Sequence, residues 1–443
     1  MTDNRMQVNL RNVVLDVLME LNKPDALSHV VLGNALAKYQ YLNKQERSFI
    51  TRLVQGTVER QIELDYIIDT FSKTPVSKQK PLIRSLLRMS VYQLKYMDSV
   101  PESAVCNEAV KLATKRGFST LKGFVNGVLR NIARGLADVS YPDKDKERSR
   151  YLSVKYSVPE WIINMWLEDY EGIDIEHVLS GFNKERITYI RCNTSKVTPQ
   201  ELVTHLEDEG VNVAKTELDY VFAISGYDYL GDLESFRNGE FQIQDISSVM
   251  AGEGDIIKPD DYVIDVCAAP GGKSINAALK AYKGTVDARD LSDYKVAMIE
   301  SNLDRLEINN VYTKVWDATV RDESVVGKAD VVIADLPCSG LGIMGRKPDI
   351  RYHATPDKIE NLAKLQRQIL SVVWEYVKPG GYLVYSTCTL NRMENEANVK
   401  WFCDKYPFEL VQEPINVIPK EQSSDGFFIA RLKKRGIYNG KNV

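Results

Sequence analysis

The sequence predicts an α/β protein whose residues 246–443 form a mostly parallel sheet with helices on both faces. An all-helical domain at 1–140 and a small mixed α+β unit at 162–245 precede it. Three observations carry this. Beyond residue 260, short apolar runs alternate with amphipathic helical stretches, the pattern of strands joined by crossover helices. Before residue 140, apolar residues recur three and four apart and strand-like alternation is missing. Between these regions, the charged, proline-containing stretch at 141–161 ("YPDKDKERSRYLSVKYSVPEW") reads as a linker.

In the first domain, "QERSFITRLVQGTVERQIELDYIIDTF" and "KPLIRSLLRMSVYQLKYM" have helical periodicity. In "LKGFVNGVLRNIARGL", Phe124, Val125, Val128, Leu129 and Ile132 share one face. Lys122, Asn126, Arg130 and Arg134 repeat every four residues on the other. Residues 1–140 carry 20 Lys and Arg against 13 Asp and Glu, a balance of +7, and the rest carries 37 against 48, a balance of −11. A basic unit on an acidic body suits a polyanionic partner. The Lys122, Arg130 and Arg134 stripe is either a solvated helix face or a set of phosphate contacts. Lys111, Lys115 and Arg116, close in sequence, favour the second.

The small unit contains "ITYIRCNTSK" and "FQIQDISS". Strand candidates in the last domain are 262–267, 284–289, 311–316, 330–335 and 382–387. Between them fall the helical segments "SINAALKAY", "DYKVAMIESNLDRL" and "PDKIENLAKLQRQILSVVWEYV". A late apolar strand at 427–432 is expected to close an edge. In such sheets ligands bind at the carboxyl ends of the strands.

After the first of these strands comes "DVCAAPGGKS", residues 265–274. A phosphate-gripping loop would need glycine five places before Gly272, where Cys267 stands, and the Gly-x-Gly-x-x-Gly fingerprint of dinucleotide sites is missing. Gly271 and Gly272 still let backbone approach a ligand closely. Asp290 follows the second strand, placed to accept hydrogen bonds from ribose hydroxyls. Asp317 follows the third, placed to receive the amino group of an adenine. A glycine loop, a ribose acid and an adenine acid without a diphosphate grip fit S-adenosylmethionine better than ATP or NAD. An acid after a strand can also be a simple helix cap.

The fourth strand ends in "ADLPCSG" and the fifth in "YSTCTL", which puts Asp335, Cys338 and Cys388 at one edge of the sheet. The six cysteines (106, 192, 267, 338, 388 and 403) contain no Cys-x-x-Cys pair, and none of the four histidines sits at ligand spacing from another. A disulfide framework and a metal site are therefore not expected, and the reducing cytoplasm is the expected setting. The sequence also shows no signal peptide and no apolar span, so no membrane partner is expected. Covalent catalysis is then the sharp reading of the two thiols, against the bland one of small buried hydrophobes. Carbon 5 of cytosine is a poor nucleophile until a thiolate adds at carbon 6 and makes the ring an enamine. The adduct must later lose its carbon-5 proton and expel the thiolate. Two thiols and a carboxylate match that inventory. The base must also be reachable, in a loop or flipped from its stack.

"DVCAAPGGK", "DLPCSG", "STCT", "FQIQDISS" and "DGFFIARL" resemble, in order, the motifs of the Sun/Fmu (RsmB) family of bacterial 16S ribosomal RNA cytosine-5 methyltransferases. "VPESAVCNEAVKLA" and "FVNGVLRNI" resemble the NusB-like RNA-binding domain of that group. The resemblance covers nearly the whole chain. It implies a Rossmann-like S-adenosylmethionine-dependent methyltransferase domain and a target at cytosine 967 of 16S ribosomal RNA, free or in an early 30S particle. A monomer is expected. The resemblance further implies cofactor contacts from Cys267, Ala268, Ala269, Pro270, Gly271, Gly272, Lys273, Asp290, Asp317 and Asp335. Cys388 is implied as nucleophile, Cys338 as the group that assists proton removal and release, Asp335 as a hydrogen-bond partner of the cytosine, and Lys273 as a positioning group. Leu336 departs from the alanine common in the family. Two alternatives stay open: another ribosomal or transfer RNA cytosine, and a non-enzymatic RNA-binding factor with a degenerate cofactor domain.

Overall fold

A computed structural model describes residues 8–23, 26–184, 187–419 and 424–436. They divide into two compact units, one of residues up to 183 together with 344–353, the other of residues 184–343 and from 354 onward.

The first unit is helical, as its periodicity predicts. Helix Lys44–Glu59 opens on a capping box in which Asn43 and Glu46 satisfy each other's backbone N–H groups. Helix Pro81–Tyr96 starts with proline at its first position, where no N–H is needed. Its Ile83, Leu86, Leu87, Met89 and Val91 are buried in one core with Leu53, Val54, Leu64 and Ile67 of its neighbours. Gly56 meets the Tyr92 ring so closely that no side chain fits there. Helix Lys122–Gly135 buries Val125, Val128, Leu129 and Ile132. Each is worth about 1.5–3 kcal/mol of burial, so this face fixes which side of the helix looks outward.

The stretch 141–161 is not the expected linker. It contains helix Arg148–Tyr156, with Leu152, Ser153 and Val154 buried, and the start of helix Glu160–Asp169. Its lysines are paired across the fold: Lys144 and Lys155 both meet Glu176, at 2.8 and 2.9 Å. Helices Glu160–Asp169 and Ile175–Phe182, expected in the small unit, also belong to the first. So does the short segment 344–353, where the buried Arg351 donates to the carbonyls of Glu59, Tyr156 and Ser157. No local pattern in the sequence announces that placement.

The second unit holds two sheets among its described residues. Strands β1 (Thr188–Cys192), β2 (Asn212–Lys215), β3 (Val221–Ser225) and β4 (Phe241–Ile243) form an antiparallel sheet in the order β2-β3-β1-β4. The larger sheet comprises β5 (Tyr262–Asp265), β6 (Thr285–Asp290), β7 (Val311–Val315), β8 (Ala329–Asp335), β9 (Val377–Thr387), β10 (Phe408–Leu410), β11 (Ile415–Val417) and β12 (Phe427–Lys434). Its order is β10-β12-β9-β8-β5-β6-β7, with β11 also paired to β12. Strands β5 to β9 are parallel to one another, while β12 runs antiparallel to β9. Helices cover both faces, and apolar cores lie on each side. Strand β12 does not close the edge, because β10 and β11 pair with its far side. Those two strands have three residues each, too short to show a period.

From β5 the chain steps to β6 and β7 on one side, then to β8 and β9 on the other. The order therefore reverses between β5 and β8, and the crevice at their carboxyl ends is the natural ligand site. Asp265 and Asp335 are the last residues of those two strands.

Candidate active site

The chain leaves β5 into the loop 266–271 and enters helix Gly272–Lys280. Gly271 sits at φ +101°, a backbone region that L side chains rarely adopt, so the turn into the helix requires glycine. Neighbouring strand ends pin the loop. Val266 N–H donates to the Ile333 carbonyl at 3.1 Å and Ala268 N–H to the Arg289 carbonyl at 2.8 Å. Ala269 N–H donates to Asp290 Oδ2 at 3.0 Å.

A cavity of about 190 Å³ opens over this loop. Cys267, Ala268, Ala269, Pro270, Gly272 and Lys273 line one side and Asp335 another. Gln242 of β4, with Gln244 and Ser248 just beyond that strand, closes it. Asp265 lies at its floor, 1 % exposed, with Ser274 Oγ donating to Oδ2 at 2.6 Å. Oδ1 has no hydrogen-bond partner among the described residues, an unusual condition for a buried oxygen. Burial pushes this carboxyl up to about 7. Burial also raises the Cys267 thiol well above its ordinary range, which makes it a poor nucleophile.

Lys273 Nζ reaches Asp335 Oδ2 at 2.7 Å and Ser248 Oγ at 2.9 Å, and lies 5.0 Å from the centre of the Phe427 ring. Ser386 Oγ donates to Asp335 Oδ1 at 2.7 Å. Both oxygens of Asp335 are thus held at fixed positions. Three residues beyond Asp335 stands Cys338, and two beyond Ser386 stands Cys388; their sulfurs are 3.2 Å apart. The hydrogen bond to Cys388, with burial second, pushes the Cys338 thiol far above its ordinary range. A protonated thiol beside a second thiol can serve as nucleophile and proton carrier in one site.

Not every residue singled out in the sequence reaches the cavity. Asp290 is buried behind the loop. Its carboxylate accepts from Ala269 N–H and from Leu291 N–H at 2.7 Å, and pairs with Lys295 at 2.9 Å. It shapes the loop and does not line the cavity. Asp317 is exposed and folds back on Thr319, accepting from its N–H at 2.9 Å and its hydroxyl at 2.7 Å. That local capping is a common habit of aspartate, and it leaves Asp317 outside the cavity lining. Lys122, Arg130 and Arg134 are exposed on their helix, and none has a carboxylate within ion-pair distance among the described residues. Asp265, Gln242, Gln244 and Ser248 also line the site, and their signals in the sequence are the segment "FQIQDISS" and the aspartate that opens the glycine loop.

Comparison with known proteins gives three family matches along the chain. Residues 8–134 match the NusB family, 158–221 the RsmF/B-like methyltransferase ferredoxin-like domain, and 256–433 the 16S rRNA methyltransferase RsmB/F family. A probable ribosomal RNA small subunit methyltransferase B of Bacillus subtilis is 35% identical, over 97% of this chain and 100% of its own length. Its counterpart in Synechocystis is 32% identical over 96% and 100%. Among solved structures, the protein PH0851 aligns with a TM-score of 0.80 at 26% identity, covering 97% of this chain and 100% of its own. A methyltransferase homologue from Pyrococcus horikoshii aligns at 0.58 and 26% identity over 65% of this chain.

Proposed function

The chain belongs to the 16S rRNA methyltransferase RsmB/F family, an S-adenosylmethionine-dependent RNA methyltransferase, and from that premise we propose that it methylates carbon 5 of a cytosine in 16S rRNA through a covalent cysteine adduct. The close approach of Cys338 and Cys388 beside the Lys273–Asp335 pair carries this proposal.

The cavity residues suit the cofactor. Asp265 offers a buried carboxylate oxygen that has no partner among the described residues, and the loop from Cys267 to Lys273 exposes backbone at close range. Asp290 holds that loop in shape. When bound, S-adenosylmethionine supplies an electrophilic methyl group.

This chain's own residues supply the rest. Asp335, oriented by Lys273 and Ser386, accepts a hydrogen bond from the cytosine edge and fixes the ring. The Cys388 thiolate forms a bond to carbon 6, and the carbon 5–carbon 6 double-bond electrons make carbon 5 nucleophilic. After methylation, Cys338 assists loss of the carbon-5 proton, the carbon 6–sulfur bond breaks, and the double bond returns. Lys122, Arg130 and Arg134 contribute phosphate contacts from the helical unit.

The same family membership supports cytosine 967 as target, presented by free 16S rRNA or an early 30S particle. Bisulfite sequencing of ribosomal RNA from cells with and without the gene tests this. Loss of protection at one 16S cytosine is the expected result. An unchanged 16S pattern, or a lost site in transfer RNA, overturns the proposal.

A further inference from the structure

Glu394 has no exposed surface, and its carboxylate faces neutral donors. Ser339 N–H and Gln366 Nε2 each donate to Oε2 at 2.9 Å; Asn391 Nδ2 at 2.5 Å and the Ser339 hydroxyl donate to Oε1. Its backbone is pinned as well. Its N–H donates to Asn391 Oδ1 at 2.9 Å, and its carbonyl accepts from Tyr385 and from Asn398 at 3.2 Å.

Ser339 and Asn391 lie on the loops that carry the two thiols, and Gln366 lies on helix Pro356–Val373. Ser339 directly follows Cys338, and its hydroxyl also lies 2.7 Å from the hydroxyl of Thr389, which directly follows Cys388. Gln366 holds the Pro337 carbonyl at 2.9 Å, on the other side of Cys338. Asn395 Nδ2 holds the Thr389 carbonyl at 3.0 Å, and Gly342 N–H holds the Cys388 carbonyl at 3.0 Å. A buried carboxylate is expensive to desolvate, and an apolar side chain would fill the same space more cheaply. What an apolar residue cannot do is bind both loops to one point. Three of the four contacts are N–H donors, which the carboxylate oxygens accept, and the fourth is the Ser339 hydroxyl.

We propose that Glu394 is a positioning residue that fixes the separation of the Cys338 and Cys388 sulfurs and thereby sets how fast the covalent intermediate is resolved. Its effect on resolution presupposes the two-thiol reaction proposed above; its effect on sulfur separation does not. Glu394→Gln keeps the shape but turns an amide N–H toward donors. Ser339→Ala is a milder cut that removes only the hydroxyl link between the loops.

Sulfur separation can be read without RNA or cofactor by oxidising the full-length protein with the azo compound diamide. One thiolate adds across the N=N bond, the second sulfur displaces it, and the two thiols become a disulfide as the azo group is reduced to the hydrazine. Peptide mapping identifies the Cys338–Cys388 product. Because closure needs the sulfurs aligned to near 2 Å, Glu394→Gln should slow it about tenfold and Ser339→Ala about threefold. Melting temperature and S-adenosylmethionine affinity report whether each variant remains folded. With a 16S rRNA fragment, folded Glu394→Gln should accumulate covalent protein–RNA complex as Cys338→Ala does. A wild-type closure rate in folded Glu394→Gln overturns the positioning role. If that variant does not fold, a wild-type rate in Ser339→Ala overturns it. Slowed closure with no complex in any variant, Cys338→Ala included, upholds the positioning and overturns the two-thiol reaction instead.

Discussion

Lys273 Nζ stands 2.7 Å from Asp335 Oδ2, so the first turn of the helix after β5 is tied to the end of β8 across the reversal point of the sheet. Both side chains are largely covered, at 13 % and 29 % exposed, so neither charge is well solvated alone. Asp335→Asn keeps the volume but replaces one of two acceptors by a donor facing Lys273 or Ser386. It should cost about 1–3 kcal/mol of stability, the usual penalty for an unmatched polar contact. Methyl transfer should fall much further than folding does. Thermal melting and a turnover assay on the same preparation check this; parallel small losses would reduce the pair to a structural tie.

Asp265 makes stability depend on pH. Its folded carboxyl is raised to about 7 from an ordinary 3.8, so the folded state binds the proton more tightly than the unfolded chain does. Stability from this group is therefore fully present below about pH 4 and is lost as pH rises towards 7. Asp265→Asn removes the titration and should flatten that part of the profile. Denaturant midpoints measured between pH 4 and 8 test the sign: a wild-type slope unchanged by the substitution excludes Asp265 as its source.

The two acids read from strand ends should now behave differently. Asp290→Ala removes the acceptor for Ala269 and Leu291 N–H groups and leaves Lys295 unpaired. It should weaken S-adenosylmethionine binding by about 1–3 kcal/mol through the loop it supports. Asp317→Ala, whose carboxylate serves Thr319, should leave affinity nearly unchanged. Calorimetry on both variants decides this. A large loss for Asp317→Ala would mean that the side chain swings to the ligand.

That contrast shows where sequence reading succeeds and stops. Strand ends were legible because burial on both faces gives β5 and β8 short apolar runs, Val263-Ile264 and Val331 to Ala334, each closed by an aspartate at the same edge. Sequence places Asp290 and Asp317 equally well after strands, but it does not show which way a carboxylate turns. Glu394 went unnoticed because its partners Ser339 and Gln366 lie 55 and 28 residues away. The charges of 141–161 suggested solvent, since pairing of Lys144 and Lys155 with Glu176 exists only after folding.

Lys122, Arg130 and Arg134 sit on one exposed helix face with the apolar side buried. Reversing all three charges should weaken RNA binding and reduce its salt dependence, by about 0.7–0.9 in logarithmic slope for each phosphate no longer neutralised. Cofactor affinity should not move, since these residues lie in the helical unit. Filter binding across a salt series tests this. An unchanged slope would return the stripe to a solvated face.

The two thiols should separate by the complexes they leave behind. The hydrogen bond to Cys388 and burial disfavour a Cys338 thiolate in the free protein, so the attack is assigned to Cys388. Cys388→Ala removes the attacking sulfur and should be inactive with no covalent RNA complex. Cys338→Ala should still attack and methylate, then release slowly, and so accumulate a complex retarded on a denaturing gel. The double variant should show no such band, because nothing remains to form the bond. A band in Cys388→Ala but none in Cys338→Ala would exchange the roles. Alkylation supplies a second check, since its rate follows the thiolate fraction and should rise with pH. Bound cofactor and RNA together should shield Cys388 from the reagent. Equal labelling with and without them would place that sulfur outside the reacting site.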